Sequence, residues 1–348
     1  MKIAYIVPSL ENAGPVNVVH DLVEVMIRHD HQCVVYYFNN EKAQHFSCKT
    51  QKISMMTHID INKYDIVHTH GLRPNCYLLL HKPLRCTAYC IATFHNYVFE
   101  DYSYIYPKYV AIPGAYLTLM SIWRHHKVIV LSRDAMNYYK KWIKEDKLSF
   151  VYNTRNIDFS KRLSSHEKEE ILSFKNNDLL IGINSSIHPR KGIDLLIGVL
   201  KLLPNNYKLF IVGDGSSEKK YQQLSKSLGV EDRIYWAGRR KEAYRYLPYY
   251  DIFVLPSRSE GFPLSLLEAA AYGKNIVCSD IPVFKELYAN NEVSMFELPN
   301  VESLLEAIKK AADNPMYGIN VKNKYERMYS PKAFYDCHLN VYKNDSKL

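Results

Sequence analysis

From about Asp178 onward the chain repeats one unit, a short run that is apolar on both faces followed by a stretch with helical periodicity. The runs LLIGINSS, YKLFIVGDG, RIYWAG, IFVLPS, NIVCSD and VSMFEL alternate with segments such as IDLLIGVLKLL and VESLLEAIKKAADN. A strand without a polar face has to be covered on both sides, and such strands joined by helices form a parallel sheet with helices on each face. The first half repeats the pattern through KIAYIVPSL, QCVVYYF, DIVHTHG, CIATFH and KVIVLS. Two doubly wound α/β domains are therefore expected, and 348 residues suffice for two cores. The expected divisions are residues 1–157, 158–328 and a terminal helix over 329–348. The first follows LSFVYNTRNID, where SKRLSSHEKEE loses strand character and offers a helix start at Ser164 or Ser165. In the terminal segment Ser330 supplies a cap and Pro331 a first turn.

Composition narrows the function classes. With 47% hydrophobic and 23% charged residues the chain is neither disordered nor fibrous. Its seven cysteines are an odd number without paired metal spacing, which reads as reduced thiols in a cytosol, and Cys86 and Cys90 read as packing residues. The apolar run of MKIAYIVPSLEN stops at Pro8, too early for a secretory signal. The uncharged stretch from Tyr109 to Trp123 is interrupted by Pro113 and Gly114 and falls short of the ~20 residues that span a bilayer. The net charge of +9 suits a surface that meets phosphate-bearing ligands or anionic lipid. No basic helix, zinc knuckle or ribonucleoprotein signature accompanies it, so nucleic acid is not an expected partner.

Open parallel sheets bind ligands beyond the carboxyl ends of their strands. SRSEGFPLSLLEAAAYG follows the strand IFVLPS; Pro263 suits the first turn of a helix and Gly273 its left-handed end, so a helix is expected over 264–272. Its free N–H groups and dipole would favour a diphosphate. Leu264, Leu267 and Ala271 form the expected buried stripe, and Glu268 lies beside them in need of donors such as ribose hydroxyls. Glu260, in the preceding loop, would accept hydrogen bonds from a sugar. A capped core helix with two solvated glutamates fits the spacing equally well. In HPRKG, Arg190 and Lys191 precede Gly192 and an apolar helix, where two cations could neutralise a diphosphate or form a solvated basic turn. Asn12-Ala13-Gly14-Pro15 follows the first strand, and Gly14 would let the backbone approach a phosphate, unless the segment is a plain turn.

His95 ends the strand CIATFH. His68 and His70 share a face of DIVHTHG, but with no carboxylate or cysteine at matching spacing a metal site is not expected there, and His68 reads as structural. The segment from Tyr97 to Trp123 is dense in tyrosine and is followed by Arg124, His125, His126 and Lys127. It reads either as a sugar-stacking or membrane-facing surface with a basic edge, or as a helix covering the sheet.

Glu260 and Glu268, with seven residues between them after a strand ending in Pro-Ser, resemble the E-x7-E signature of the retaining glycosyltransferases of family 4, which have the GT-B fold. The resemblance spans nearly the whole chain and includes, in order, PSLENAG, DIVHTHG, ATFH, VIVLS, HPRKG, VGDG and WAG. It implies two Rossmann-like domains facing across a cleft, the first on the acceptor side and the second binding a nucleotide sugar, with the terminal helix packing back on the first. It further implies transfer of a sugar, with retained configuration, from a donor that family frequency makes UDP-linked to a hydroxyl of a glycan or lipid-linked acceptor. The setting it suggests is bacterial surface-polysaccharide synthesis, O-antigen or capsule, in the cytoplasm at the inner face of the membrane. Carried over residue by residue, it assigns donor binding to Gly14, Arg190, Lys191, Gly213, Gly238, Glu260, Gly261, Phe262, Pro263, Leu264 and Glu268. Catalysis falls to His95, Glu260, Lys191 and Arg190, and His70 and Tyr97 turn toward the acceptor. No cofactor and no metal are expected, since no Asp-x-Asp motif is present. Ala13 stands where the family commonly has Gly, and Asn184-Ser185 where it usually has Gly-Arg, so the cationic clamp rests on Arg190 and Lys191. A GT-B-like sugar-nucleotide epimerase and a non-catalytic sugar-nucleotide or glycan-binding protein are the alternatives.

Overall fold

The computed structural model describes residues 1–11, 13–39 and 44–344. The chain divides into two units, one formed by Met1–Asn156 together with the chain from Tyr329 on, the other by Ile157–Met328. In the first, the strands β1 (Lys2–Ser9), β2 (Gln32–Asn39), β3 (Lys49–Lys52), β4 (Ile66–His70), β5 (Tyr89–Thr93), β6 (Lys127–Val130) and β7 (Leu148–Phe150) form one parallel sheet in the order β3-β2-β1-β4-β5-β6-β7. After β1 the chain builds outward on one side, then crosses to add β4 on the other, with Ile3 opposite Ile66. That reversal leaves a crevice beyond the carboxyl ends of β1 and β4, where doubly wound sheets hold their ligands.

The second unit repeats the plan with β8 (Leu179–Asn184), β9 (Tyr207–Val212), β10 (Ile234–Gly238), β11 (Ile252–Leu255), β12 (Asn275–Ser279) and β13 (Ser294–Phe296), in the order β10-β9-β8-β11-β12-β13. Its reversal lies between β8 and β11, with Ile181 opposite Ile252. Every residue of β11 is buried, as the run IFVL with no polar face requires. Two strands lack that signal. β3 is the exposed edge segment KTQK, and β7 is only three residues long, so neither stands out as an apolar run.

Local chemistry fixes the ends of the helices. Ser164 caps the helix Ser165–Lys175 through a capping box with Glu167, and Ser330 Oγ accepts from Ala333 N at 3.3 Å at the start of the helix Pro331–Asn344. That last helix packs on the first unit: Tyr335 stacks on His29 with ring centroids 3.6 Å apart, and Tyr342 Oη lies 2.8 Å from His68 Nδ1. No helix among the described residues is long and apolar enough to cross a membrane.

Candidate active site

In the second unit the chain leaving β8 reaches the turn Pro189–Lys191, and the chain leaving β11 reaches Glu260; both therefore stand at the strand-order reversal. The two loops are stitched together. Arg258 N donates to Arg190 O at 2.7 Å, and the Arg190 guanidinium donates to Ser259 O at 3.1 Å. Arg258 also grips both carboxylate oxygens of Asp194, at 2.9 and 2.6 Å. Gly192 makes the approach feasible, because its φ is +68° and a Cβ there would sit 2.0 Å from Pro256 O.

Inside this frame Lys191 Nζ donates to Glu260 Oε1 at 2.6 Å, Ser257 Oγ donates to the same oxygen at 2.6 Å, and Arg190 stands 3.8 Å from Oε2. Burial of Glu260 pushes its carboxyl pKa up, but Lys191, then Arg190, outweigh burial and hold it below the usual carboxylate value. Glu260 is thus a buried, ionised carboxylate rather than a solvated glutamate, and the basic turn is drawn inward by it.

The helix Leu264–Ala271 follows, with Gly261, Phe262 and Pro263 buried ahead of it. Here the structure corrects three expectations. Pro263 is the cap rather than a first-turn residue, the helix stops at Ala271, and Leu264 is partly exposed. Leu266 to Ala271 are all buried, Glu268 among them, because the helix has neighbours on nearly every side and only its opening residues Leu264 and Ser265 reach solvent. The first turn of a helix has N–H groups without intrahelical acceptors, which leaves this end suited to an anion.

Gly213 follows β9 and donates its N–H to Gly238 O, at the end of β10, at 2.9 Å. A Cβ on Gly213 would meet Ser185 O at 1.8 Å, so the glycine of VGDG is demanded by backbone packing in its own right. Asn184, at the end of β8, is held by Ala243 O at 3.0 Å and Tyr250 Oη at 2.8 Å.

In the first unit Gly14 opens the helix Gly14–Ile27 with Ala13 as an N-cap lacking any side-chain bond, and nothing lies within 4 Å of a Cβ built on Gly14. Asn12 lies outside the described residues. His95 follows β5, partly exposed, with Nε2 2.9 Å from His70 Nδ1. Burial lowers the His95 pKa to about 4 and that of His70 well below the usual value. His70 is 1% exposed, packed between His95 and His68, so it does not line an open acceptor surface. His68 has both ring nitrogens engaged, by Tyr342 Oη at 2.8 Å and Thr93 Oγ1 at 2.7 Å, which leaves neither for a metal. Tyr97 is docked on its own unit by donating to Asp134 Oδ2 and by edge contact with Tyr138. Tyr139 Oη donates to Asn96 O at 2.6 Å and accepts from Val98 N at 3.1 Å, fixing the loop after His95.

Residue types alone do not find Ser257, the Arg258–Asp194 fork or Tyr139, since each acts through a partner fixed only by the fold. The basic edge expected at residues 124–127 is largely engaged in hydrogen bonds within its own unit. The Arg124 guanidinium bonds Leu79 O and Pro83 O, His125 is buried, His126 accepts from Cys90 N, and Lys127 donates to Asp146 O. These groups tie loops of the domain together; His125 is buried, while His126 is exposed and Arg124 and Lys127 are partly exposed.

A basic and an acidic loop meeting at the strand-order reversal of the second unit, and histidines beyond β4 and β5 of the first, stand where doubly wound α/β sheets hold their ligands. Residues 164–331 match the family "Glycosyl transferases group 1", and residues 50–159 match "Glycosyltransferase Family 4". The O-antigen biosynthesis glycosyltransferase WclY of Escherichia coli is 30% identical over 91% of this chain and 90% of its own. An E. coli UDP-Gal:alpha-D-GlcNAc-diphosphoundecaprenol alpha-1,3-galactosyltransferase is 26% identical over 78% of this chain and 72% of its own. Among solved structures, Anabaena HepE in complex with UDP and glucose superposes with a TM-score of 0.79 at 15% identity, covering 99% of this chain and 100% of that one. The chain belongs to the family 4 glycosyltransferases, and its fold class is GT-B.

Proposed function

We propose that the protein is a retaining, metal-independent glycosyltransferase that moves a sugar from a UDP-linked donor to a hydroxyl of a glycan or lipid-linked saccharide in surface-polysaccharide synthesis, in the cytoplasm at the inner face of the membrane. The observation that carries this reading is the Lys191–Glu260 pair at the strand-order reversal of the second unit, beside the opening of the helix Leu264–Ala271. A diphosphate arriving there would meet Arg190, Lys191 and backbone N–H groups, all able to stabilise the charge of a leaving group. UDP is supported by the UDP-Gal named for one relative and the UDP bound to HepE, and a lipid-linked acceptor by the diphosphoundecaprenol of the former.

Retention rests on the family 4 membership, and the state of Glu260 bears on the route by which it would be reached. A double displacement needs a free nucleophile, whereas Glu260 Oε1 already accepts from Lys191 and Ser257. In a front-face substitution the acceptor oxygen bonds to the anomeric carbon as the bond to the diphosphate breaks, and the acceptor proton passes to the departing diphosphate oxygen. Incubating the purified protein with a panel of nucleotide sugars tests the whole reading. Slow nucleotide release from a UDP-sugar, unchanged in EDTA, and an α-configured product from an α-linked donor are expected. A β-product would contradict retention, a chelator-abolished rate restored by magnesium would contradict metal independence, and interconversion of donors without release would favour the epimerase.

Peripheral contact with an anionic membrane is part of the same proposal. The helix Lys108–Ser121 buries only small residues, Ala111, Ala115, Thr118 and Ser121, while Tyr109 is 80% exposed and Ile112, Tyr116, Leu117 and Met120 also face out. Such a patch on a monomer marks a surface that meets a partner. Exposed cations accompany it: Phe99 lies 5.2 Å from the Tyr116 ring and 4.8 Å from Trp142, which sits among the exposed Lys140, Lys141 and Lys144. Sedimentation with anionic but not zwitterionic vesicles at low salt is expected; no binding to either would remove this part of the proposal.

A further inference from the structure

The contact between His95 Nε2 and His70 Nδ1, at 2.9 Å, requires one ring to donate and the other to accept. Burial keeps both rings neutral at pH 7, and a neutral imidazole carries its proton on one nitrogen only. Were His95 the donor, His70 would accept at Nδ1 and carry its own proton on Nε2. That nitrogen is buried and has no hydrogen-bond partner among the described residues. The proton would then be a buried N–H without an acceptor, an arrangement that folded proteins avoid more strictly than an unpaired lone pair. With His70 as donor, Nε2 keeps only a lone pair, and the difficulty disappears.

We infer that His70 is a positioning residue, which donates its Nδ1–H to His95 Nε2 and thereby holds His95 as the Nδ1–H tautomer, ready to donate from Nδ1 to a ligand. The surroundings keep the His70 ring in place. His68 packs on it with ring centroids 4.3 Å apart and is itself tied to Thr93 and to Tyr342 of the terminal helix, and Tyr5 approaches at 6.4 Å. No described residue bonds His95 Nδ1, so its proton is available to a ligand. With Nε2 occupied, His95 has no free lone pair with which to take the acceptor's proton. That consequence rests on the proposed front-face reaction; the tautomer itself does not.

The test is a long-range proton–nitrogen correlation spectrum of the intact protein labelled with ¹⁵N-histidine at pH 7.5, with His95 assigned by loss of its signals in His95→Gln. His95 and His70 should both be protonated at Nδ1 and bare at Nε2. In His70→Asn, whose amide nitrogen replaces Nδ1, the His95 tautomer should persist; in His70→Phe it should shift toward Nε2–H, the form favoured by free imidazole. With a competent donor, His70→Phe should lower kcat at least tenfold with KM for the donor changed less than threefold, and His70→Asn should recover most of kcat. A wild-type His95 protonated at Nε2 would overturn the inference, and this readout needs neither variant to fold. An Nδ1–H His95 in a protein that transfers no sugar would leave the inference standing and count against the reaction.

Discussion

Glu260 keeps a negative charge in a buried site, which is tolerable only while cations and donors compensate it. Lys191 supplies most of that compensation at 2.6 Å, and Arg190, at 3.8 Å, supplies less. Removing the lysine while leaving the carboxylate should therefore cost stability as well as ligand binding. Lys191→Met is expected to destabilise the second unit by about 3 kcal/mol. In urea unfolding, Lys191→Met combined with Glu260→Gln should cost less than the sum of the two single changes by at least about 1 kcal/mol; additive losses would mean that the pair is not coupled. Both residues were legible in the sequence, one as a cation before a helix and the other as half of a spaced glutamate pair. Their bond was not, because 69 positions separate them and residue type does not encode which distant loop a side chain meets. The same limit hid the His70–His95 contact: two strand-end histidines were visible, but not that adjacent strands β4 and β5 would bring their rings together.

At the scale of elements, the turn Pro189–Lys191 is positioned by the residue after it. Gly192 combines a left-handed backbone with a contact that admits no Cβ, so Gly192→Ala is expected to destabilise the second unit by about 3 kcal/mol and to abolish nucleotide binding together with the displaced turn. A variant with unchanged urea midpoint and affinity would show that the two loops need not approach so closely. Central strands were readable because both faces are buried and the sequence has to be apolar throughout; β3 was not, because an edge strand with exposed side chains carries no such constraint. The helix Lys108–Ser121 was ambiguous for a related reason. It is apolar nearly all round, and periodicity could not say which face turns inward, whereas the fold selects the small residues and leaves the tyrosines outside.

On the scale of the molecule, the two units should differ in acid resistance. His68, His70, His95, His125, His126 and His338 all belong to the first unit, and burial lowers the pKa of each, to about 4 for His95, His126 and His338 and about 3 for His125. The second unit holds only His166 and His188, both exposed. An unfolded chain takes up protons on these histidines as pH falls below 6.5, while the folded first unit does not until near 4, so their contribution is complete above pH 6.5 and is lost through that window. The first unit should be less stable at pH 5 than at pH 7.5, by about 2 kcal/mol for each fully buried histidine that stays neutral in it. Fluorescence can follow this, since Trp123 and Trp142 report the first unit and Trp236 the second. Coincident acid transitions at all three would contradict it. The two-domain plan was legible from the alternation of strands and helices, whereas this asymmetry was not, because a histidine's burial is a property of the packed sheet. The central claim, that a nucleotide diphosphate binds at the strand-order reversal of the second unit, is tested most directly by calorimetric titration of UDP into the wild-type protein and into folded Lys191→Met/Glu260→Gln. The account predicts at least tenfold weaker binding in the variant, about 1.4 kcal/mol; equal affinity in the two proteins would contradict it.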